Sequence, residues 1–169
     1  MFENAQINTD NLPKLQTVQF EQIHRNYIKV IFFNILLIFL VLLVATIVNF
    51  HFNAKVKELA KPLYVYIVLV MFFLFQSVYY YASFFKRKYA LRQQDITYKK
   101  GLFFKSTLTI PFNRIQHIEI DEGLFSRIFG LASINIYTAG ANNLDLAIKG
   151  IPKKKAAEIK EFITATIHA

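Results

Sequence analysis

The stretches VIFFNILLIFLVLLVATIVNF, residues 30–50, and LYVYIVLVMFFLFQSVYYYASFF, residues 63–85, dictate where the rest of the chain sits. Neither carries a formal charge. In the first, seventeen side chains are Leu, Ile, Phe or Val, and only Asn34, Thr46 and Asn49 are not apolar; in the second the polar interruptions are Gln76, Ser77, Ser83 and five tyrosine hydroxyls. As helices rising about 1.5 Å per residue they reach roughly 31 and 35 Å, enough to cross a hydrocarbon core of about 30 Å. At about 0.3 to 0.6 kcal/mol per large apolar side chain, the first gains on the order of 5 to 10 kcal/mol on insertion. Helices apolar on every side need either lipid or a large protein around them, and 169 residues leave too little protein. The reading is a transmembrane helical hairpin with a short connection, its two spans antiparallel neighbours.

Working outward, residues 1–29 form a polar N-terminal arm without the basic start and short apolar core of a cleavable signal, so the first span reads as a retained anchor. Leu12-Pro13-Lys14-Leu15 interrupts any helix there, and residues 20–29 are expected to approach the bilayer as a short amphipathic segment. Residues 86–169 are long enough for one small domain. The net charge of +9 is concentrated in them: residues 1–62 contribute +2 and residues 86–169 contribute +7. Nine Lys and Arg side chains flank the open end of the hairpin against three in its loop, which favours both termini in the cytoplasm by the positive-inside rule. Tyr64 and Tyr66 at one end of the second span, and Tyr79, Tyr80 and Tyr81 at the other, fit interfacial aromatic belts. Asn34 and Gln76, the deepest polar side chains, are expected to hydrogen-bond between the helices.

From Lys88 the pattern shortens to alternating stretches punctuated by Gly, Asn and Asp. Strands are predicted over residues 89–93, 96–100, 102–110, 115–120, 132–138 and 144–148, with one helical turn over 124–129 closed by Gly130 and a turn at residues 140–143. Ala156, Ile159, Ile163 and Ile167, widened by Phe162, recur at spacings of three and four behind Pro152 and predict a closing amphipathic helix. Consecutive strands followed by one such helix describe a small antiparallel sheet or barrel capped at one end.

The series Pro111, Arg114-Ile115-Gln116-His117, Gly123, Arg127, Gly130-Leu131-Ala132-Ser133 and Thr138-Ala139-Gly140 resembles the signature of the bacterial pleckstrin-homology-like family, specifically the YdbS-like membrane proteins. Tyr89-Ala90-Leu91, Gly101-Leu102, Gly150-Ile151-Pro152 and Ala156-Ala157-Glu158 extend the resemblance over nearly the whole chain. It implies a seven-stranded, strongly bent antiparallel barrel capped by a C-terminal helix. It does not imply a catalytic activity, and no cofactor is expected. It also implies a membrane-protein partner, such as a longer relative carrying several copies of the domain, or association of the chain with itself.

The chemistry of the residues is consistent with a non-enzymatic module. There is no cysteine, and His24, His51, His117 and His168 are scattered rather than paired at metal-ligand spacing. Glu119, Asp121 and Glu122 end a strand before a glycine, which reads as a solvated turn rather than an acid/base pair. Three polar side chains stand out as binding or motif residues, Arg114, Gln116 and Arg127; the guanidinium forks of the two arginines suit a phosphate, a partner's carboxylate or a tie back onto the barrel. Lys86, Arg87 and Lys88 at the membrane edge, with Lys153, Lys154 and Lys155 opening the last helix, are candidate contacts to anionic lipid headgroups. The lysine triplet opposes the helix dipole, at up to about 0.3–1 kcal/mol per charge, so something is expected to offset it. Basic residues gathered at a membrane edge, without interleaved exposed aromatics, argue against nucleic acid. The expected function is a membrane-anchored interaction module that scaffolds a partner or itself, with an anionic-lipid sensor as the alternative.

Overall fold

The computed structural model describes residues 18–53, 61–139 and 145–167. The expected interruption of helix at Pro13, the loop lysines Lys55 and Lys57, the turn at residues 140–143 and the start of a strand at Leu144 lie outside them. Helix α1 spans Tyr27–Phe52 and helix α2 spans Pro62–Phe84. Pro62 opens α2, where its missing N–H costs nothing. The helices run side by side, with Phe39 against Phe73 at 4.7 Å between ring centroids and Phe50 against Tyr66 at 6.1 Å. Their remaining apolar surface faces outward, as Val41, Val68 and Met71 do at 61, 67 and 63% exposure, and both helices are long and apolar enough to cross a membrane.

The strands are β1 Glu21–Gln22, β2 Lys88–Leu91, β3 Asp95–Lys100, β4 Ser106–Pro111, β5 Ile115–Asp121, β6 Leu131–Thr138 and β7 Leu146–Pro152. They form two antiparallel sheets, ordered β1-β2-β3-β4 and β5-β6-β7, joined through a single 3-10 turn at Phe112–Arg114. A short helix α3, Leu124–Ile128, lies between β5 and β6, and α4, Lys153–Ile167, closes the fold. The alternation read in the sequence is the alternation of burial: Ile134, Ile136 and Ile148 are fully buried, as are Ala156 and Ile163 of α4. The predicted stripe on α4 ends one turn early. Phe162 keeps 44% exposure while its ring meets Phe112 edge-on, and Ile167 lies past the sheet and stays exposed.

Two local expectations are corrected. Residues 20–29 do not form one amphipathic approach: Glu21 and Gln22 pair with Tyr89 and Lys88 and α1 begins at Tyr27, so the first strand of the domain precedes the hairpin and its neighbour follows it. Both feet of the hairpin therefore stand on one side. β4 begins at Ser106 rather than Leu102, because Gly101 turns the chain at φ +106°, where a Cβ would fall 1.8 Å from the Phe104 carbonyl oxygen. Leu102, Phe103 and Phe104 consequently form a loop.

The hairpin and the domain share one core. Ile23, Tyr27 and Val30 from the first foot and Phe84 from the second are buried with Ile96, Ile134 and Ile148 of the sheets. Phe33, one turn above Val30, stacks on Phe125 and Phe129 at 5.6 and 5.9 Å. A side-chain latch fastens β1. The Tyr89 hydroxyl donates to Glu21 at 2.8 Å, and the Lys155 ammonium pairs with the same carboxylate. These contacts, Lys155 foremost, hold the Glu21 carboxyl below its ordinary value of 4.5. A carboxyl depressed by folding stabilises the fold above its unfolded pKa and loses that contribution as pH falls through the depressed value. Acidification below the ordinary carboxylate range is thus expected to lower the amide-exchange protection factors, taken relative to the intrinsic rate at each pH, at Gln22 and Tyr89 before those at Ile134 or Ile148. Simultaneous loss at both places would show that the latch does not act locally.

Candidate functional site

The six basic candidates separate once folded. Lys153 pairs with Glu122 at 2.7 Å and Lys155 with Glu21, so two of the three charges opposing the α4 dipole are offset by carboxylates. Lys86, Lys88 and Lys154 are exposed. Arg87 is half-buried instead, turned in beside Tyr98, whose hydroxyl is pushed up by burial and drawn back by the guanidinium.

Arg114, Gln116 and Arg127 do not converge. Arg114 ends the 3-10 turn before β5 and Arg127 sits beyond the other end of that seven-residue strand, roughly 20 Å away at about 3.4 Å per residue. Arg114 accepts the Ala139 N–H on its carbonyl at 2.9 Å, and its charge helps to hold the Asp145 carboxyl down, after the bonds that carboxyl accepts from the Thr138 hydroxyl and N–H. Gln116 occupies the irregularity where the β5–β6 register shifts between Ile115 and His117. The carboxylates that end β5 are likewise engaged: Glu119 accepts the Tyr137 hydroxyl at 2.9 Å, Asp121 accepts the Asn135 amide at 2.5 Å, and Glu122 holds Lys153.

What the fold does bring together is a crevice of about 690 Å³ between the hairpin and the two sheets. Its domain end is lined by Arg87, Lys100 of β3, Lys149 of β7, Tyr98 and Ser106. Its other end runs between α1 and α2, past Ile35, Ile38, Phe39, Leu42, Phe72 and Phe73. Tyr79, Tyr80, Asn34, Gln76 and Ser83 lie along the way. Here the expected Asn34 to Gln76 bridge is corrected. Asn34 instead donates its amide to the Val30 carbonyl of its own helix at 2.8 Å. Both side chains line the cavity rather than glue the helices.

At the rim, Gly101 sets up the loop carrying Phe103 and Phe104, which are 77 and 93% exposed; Phe103 stacks on Tyr79 at 6.2 Å, placing this loop at the level of the tyrosine belt. Lysines 99, 100 and 105 flank it, and the Lys99 ammonium sits 3.9 Å over the ring of Phe20. Sequence reasoning missed Lys100 and Lys149 as partners of Arg87. No local signal joins them, since they reach the crevice only through the closure of the sheets on the hairpin.

A family model described as bacterial PH domain matches residues 17–166. The UPF0699 transmembrane protein YdbT of Bacillus subtilis (strain 168) is 31% identical over 52 residues, which are 31% of this chain and 10% of that protein. The chain thus matches about a tenth of the length of that curated relative. No solved structure matches.

Proposed function

The chain belongs to the bacterial PH domain family, and from that premise we propose that it is a non-enzymatic interaction module of the inner membrane. Both ends of the hairpin lie in the cytoplasm, and the domain is presented to a partner membrane protein or to a second copy of the chain. The observation that supports this reading is the shared core: a domain whose interior holds Val30 and Phe84 keeps one orientation to the bilayer. Fixed orientation reduces the freedom lost when a partner confined to the same bilayer docks. The surface for docking is β4. It stands at the end of its sheet, and among the described residues no strand pairs with its outer edge. Ser106, Thr107, Leu108 and Thr109 are all exposed, and no charge within the strand blunts that edge against strand addition.

The chain contains no cysteine, so single cysteines report contacts without background. Thr107→Cys is expected to give specific adducts with a short bifunctional maleimide in native membranes, to a second copy or to a partner, whereas Lys160→Cys on the exposed side of α4 is not. Equal yields from the two positions would sink strand addition. The second reading, a module that works on the lipid surface, draws on the loop bearing Phe103 and Phe104 between lysines. It predicts no edge-specific adduct in the same experiment.

A further inference from the structure

We propose that the crevice between hairpin and sheets is a binding site for one anionic phospholipid, its phosphate held by Arg87, Lys100 and Lys149 and an acyl chain laid between the helices against Ile35, Phe39 and Phe72. Charge identifies the headgroup. Arg87 in the link between α2 and β2, Lys100 of β3 and Lys149 of β7 all line the crevice, and no Asp or Glu is among its lining residues. Like charges gathered at the edge of a low-dielectric wall repel one another unless an anion joins them.

The shape identifies the rest of the ligand. A free phosphate would fill only the cationic end and leave the interhelical part, which is walled by aliphatic and aromatic side chains, without an occupant. A lipid matches both ends in the order in which the bilayer presents them. Tyr79 and Tyr80 mark the headgroup depth, and Gln76, one turn earlier in α2, supplies a hydrogen-bonding group below it, where ester linkages lie, while Ser83 lies on the domain side. The volume of about 690 Å³ falls within the range of roughly 300 to 1,000 Å³ usual for specific small-ligand sites, room for a headgroup and the upper part of a chain. Such a lipid would touch α1, α2, β3 and β7 at once. It would join the domain to its anchor through a component of the membrane.

Native mass spectrometry of the full-length protein in mild detergent tests this, with phosphatidylglycerol, phosphatidylcholine or glycerol phosphate as the added probe. One phosphatidylglycerol per chain is expected, bound at least about fivefold more tightly than phosphatidylcholine. Glycerol phosphate should neither bind nor compete at the same concentration. In the Arg87→Gln/Lys100→Gln/Lys149→Gln variant the preference should vanish, while Lys88→Gln/Lys154→Gln/Lys160→Gln, which removes equal charge outside the crevice, should keep it. If the triple variant fails to fold, Lys100→Gln and Lys149→Gln singly should each reduce the preference about twofold. Equal affinity for the two lipids, loss of preference in the control variant, or competition by glycerol phosphate would overturn the proposal.

Discussion

Phe84→Ala is expected to cost about 3 to 5 kcal/mol, the range for emptying a fully packed aromatic site. Phe84 is the last residue of the second membrane helix, yet it is 1% exposed and belongs to the core of the domain, edge-on to Phe85 at 5.3 Å. Its loss leaves a cavity where hairpin and sheets meet. The informative comparison is Phe75→Ala, the same deletion nine residues earlier, where the ring is 67% exposed toward lipid and has no packed site to empty. Thermal unfolding of both variants in one detergent should show a large fall in midpoint for Phe84→Ala and little change for Phe75→Ala. Similar shifts would mean that the domain does not extend onto the helix ends.

Gly150→Ala should destabilise the fold by about 2 to 4 kcal/mol through two separable effects. Gly150 holds φ +84°, a left-handed conformation that a side chain disfavours, and an added Cβ would stand 2.5 Å from the ring of Tyr27. Tyr27 is the first residue of α1, and the carbonyl of Gly150 accepts the His24 N–H at 2.9 Å, so this glycine is where the last strand seats the foot of the first membrane helix. Pairing Gly150→Ala with Tyr27→Ala separates the effects. The double variant should lose less than the sum of the single ones, because the truncated tyrosine leaves room for the methyl, while about 1 to 2 kcal/mol of backbone strain persists. Strict additivity would show that the close approach contributes nothing.

The elements that were legible in advance share a property: each announces itself within a few residues. Leu146 and Ile148 alternate, as do Ile134 and Ile136, and all four are buried. Ala156, Ile159 and Ile163 repeat at helical spacing and form the buried face of α4. Glu21 and Gln22 make only two pairs, too few for a period to appear, and their partners Tyr89 and Lys88 lie beyond the whole hairpin. The apolar residues from Leu102 to Phe104 suit a strand; the left-handed turn at Gly101 makes them a loop. Arg87 looked like the middle of an undifferentiated basic run. Folding divides that run, leaving Lys86 and Lys88 in water and Arg87 in the crevice.

Composition and periodicity alone settled that two uncharged apolar rods carry a small β domain closed by a helix, because transfer of side chains out of water is a local, nearly additive free energy that can be read residue by residue. Folding in three dimensions settled that the feet of those rods are part of the domain's core, and that Arg87, Lys100 and Lys149 face one crevice. Both arrangements come from contacts between residues tens of positions apart in the chain. Which side chains then share a surface depends on how the sheets close over the helix ends, a geometry that no short window of residues contains.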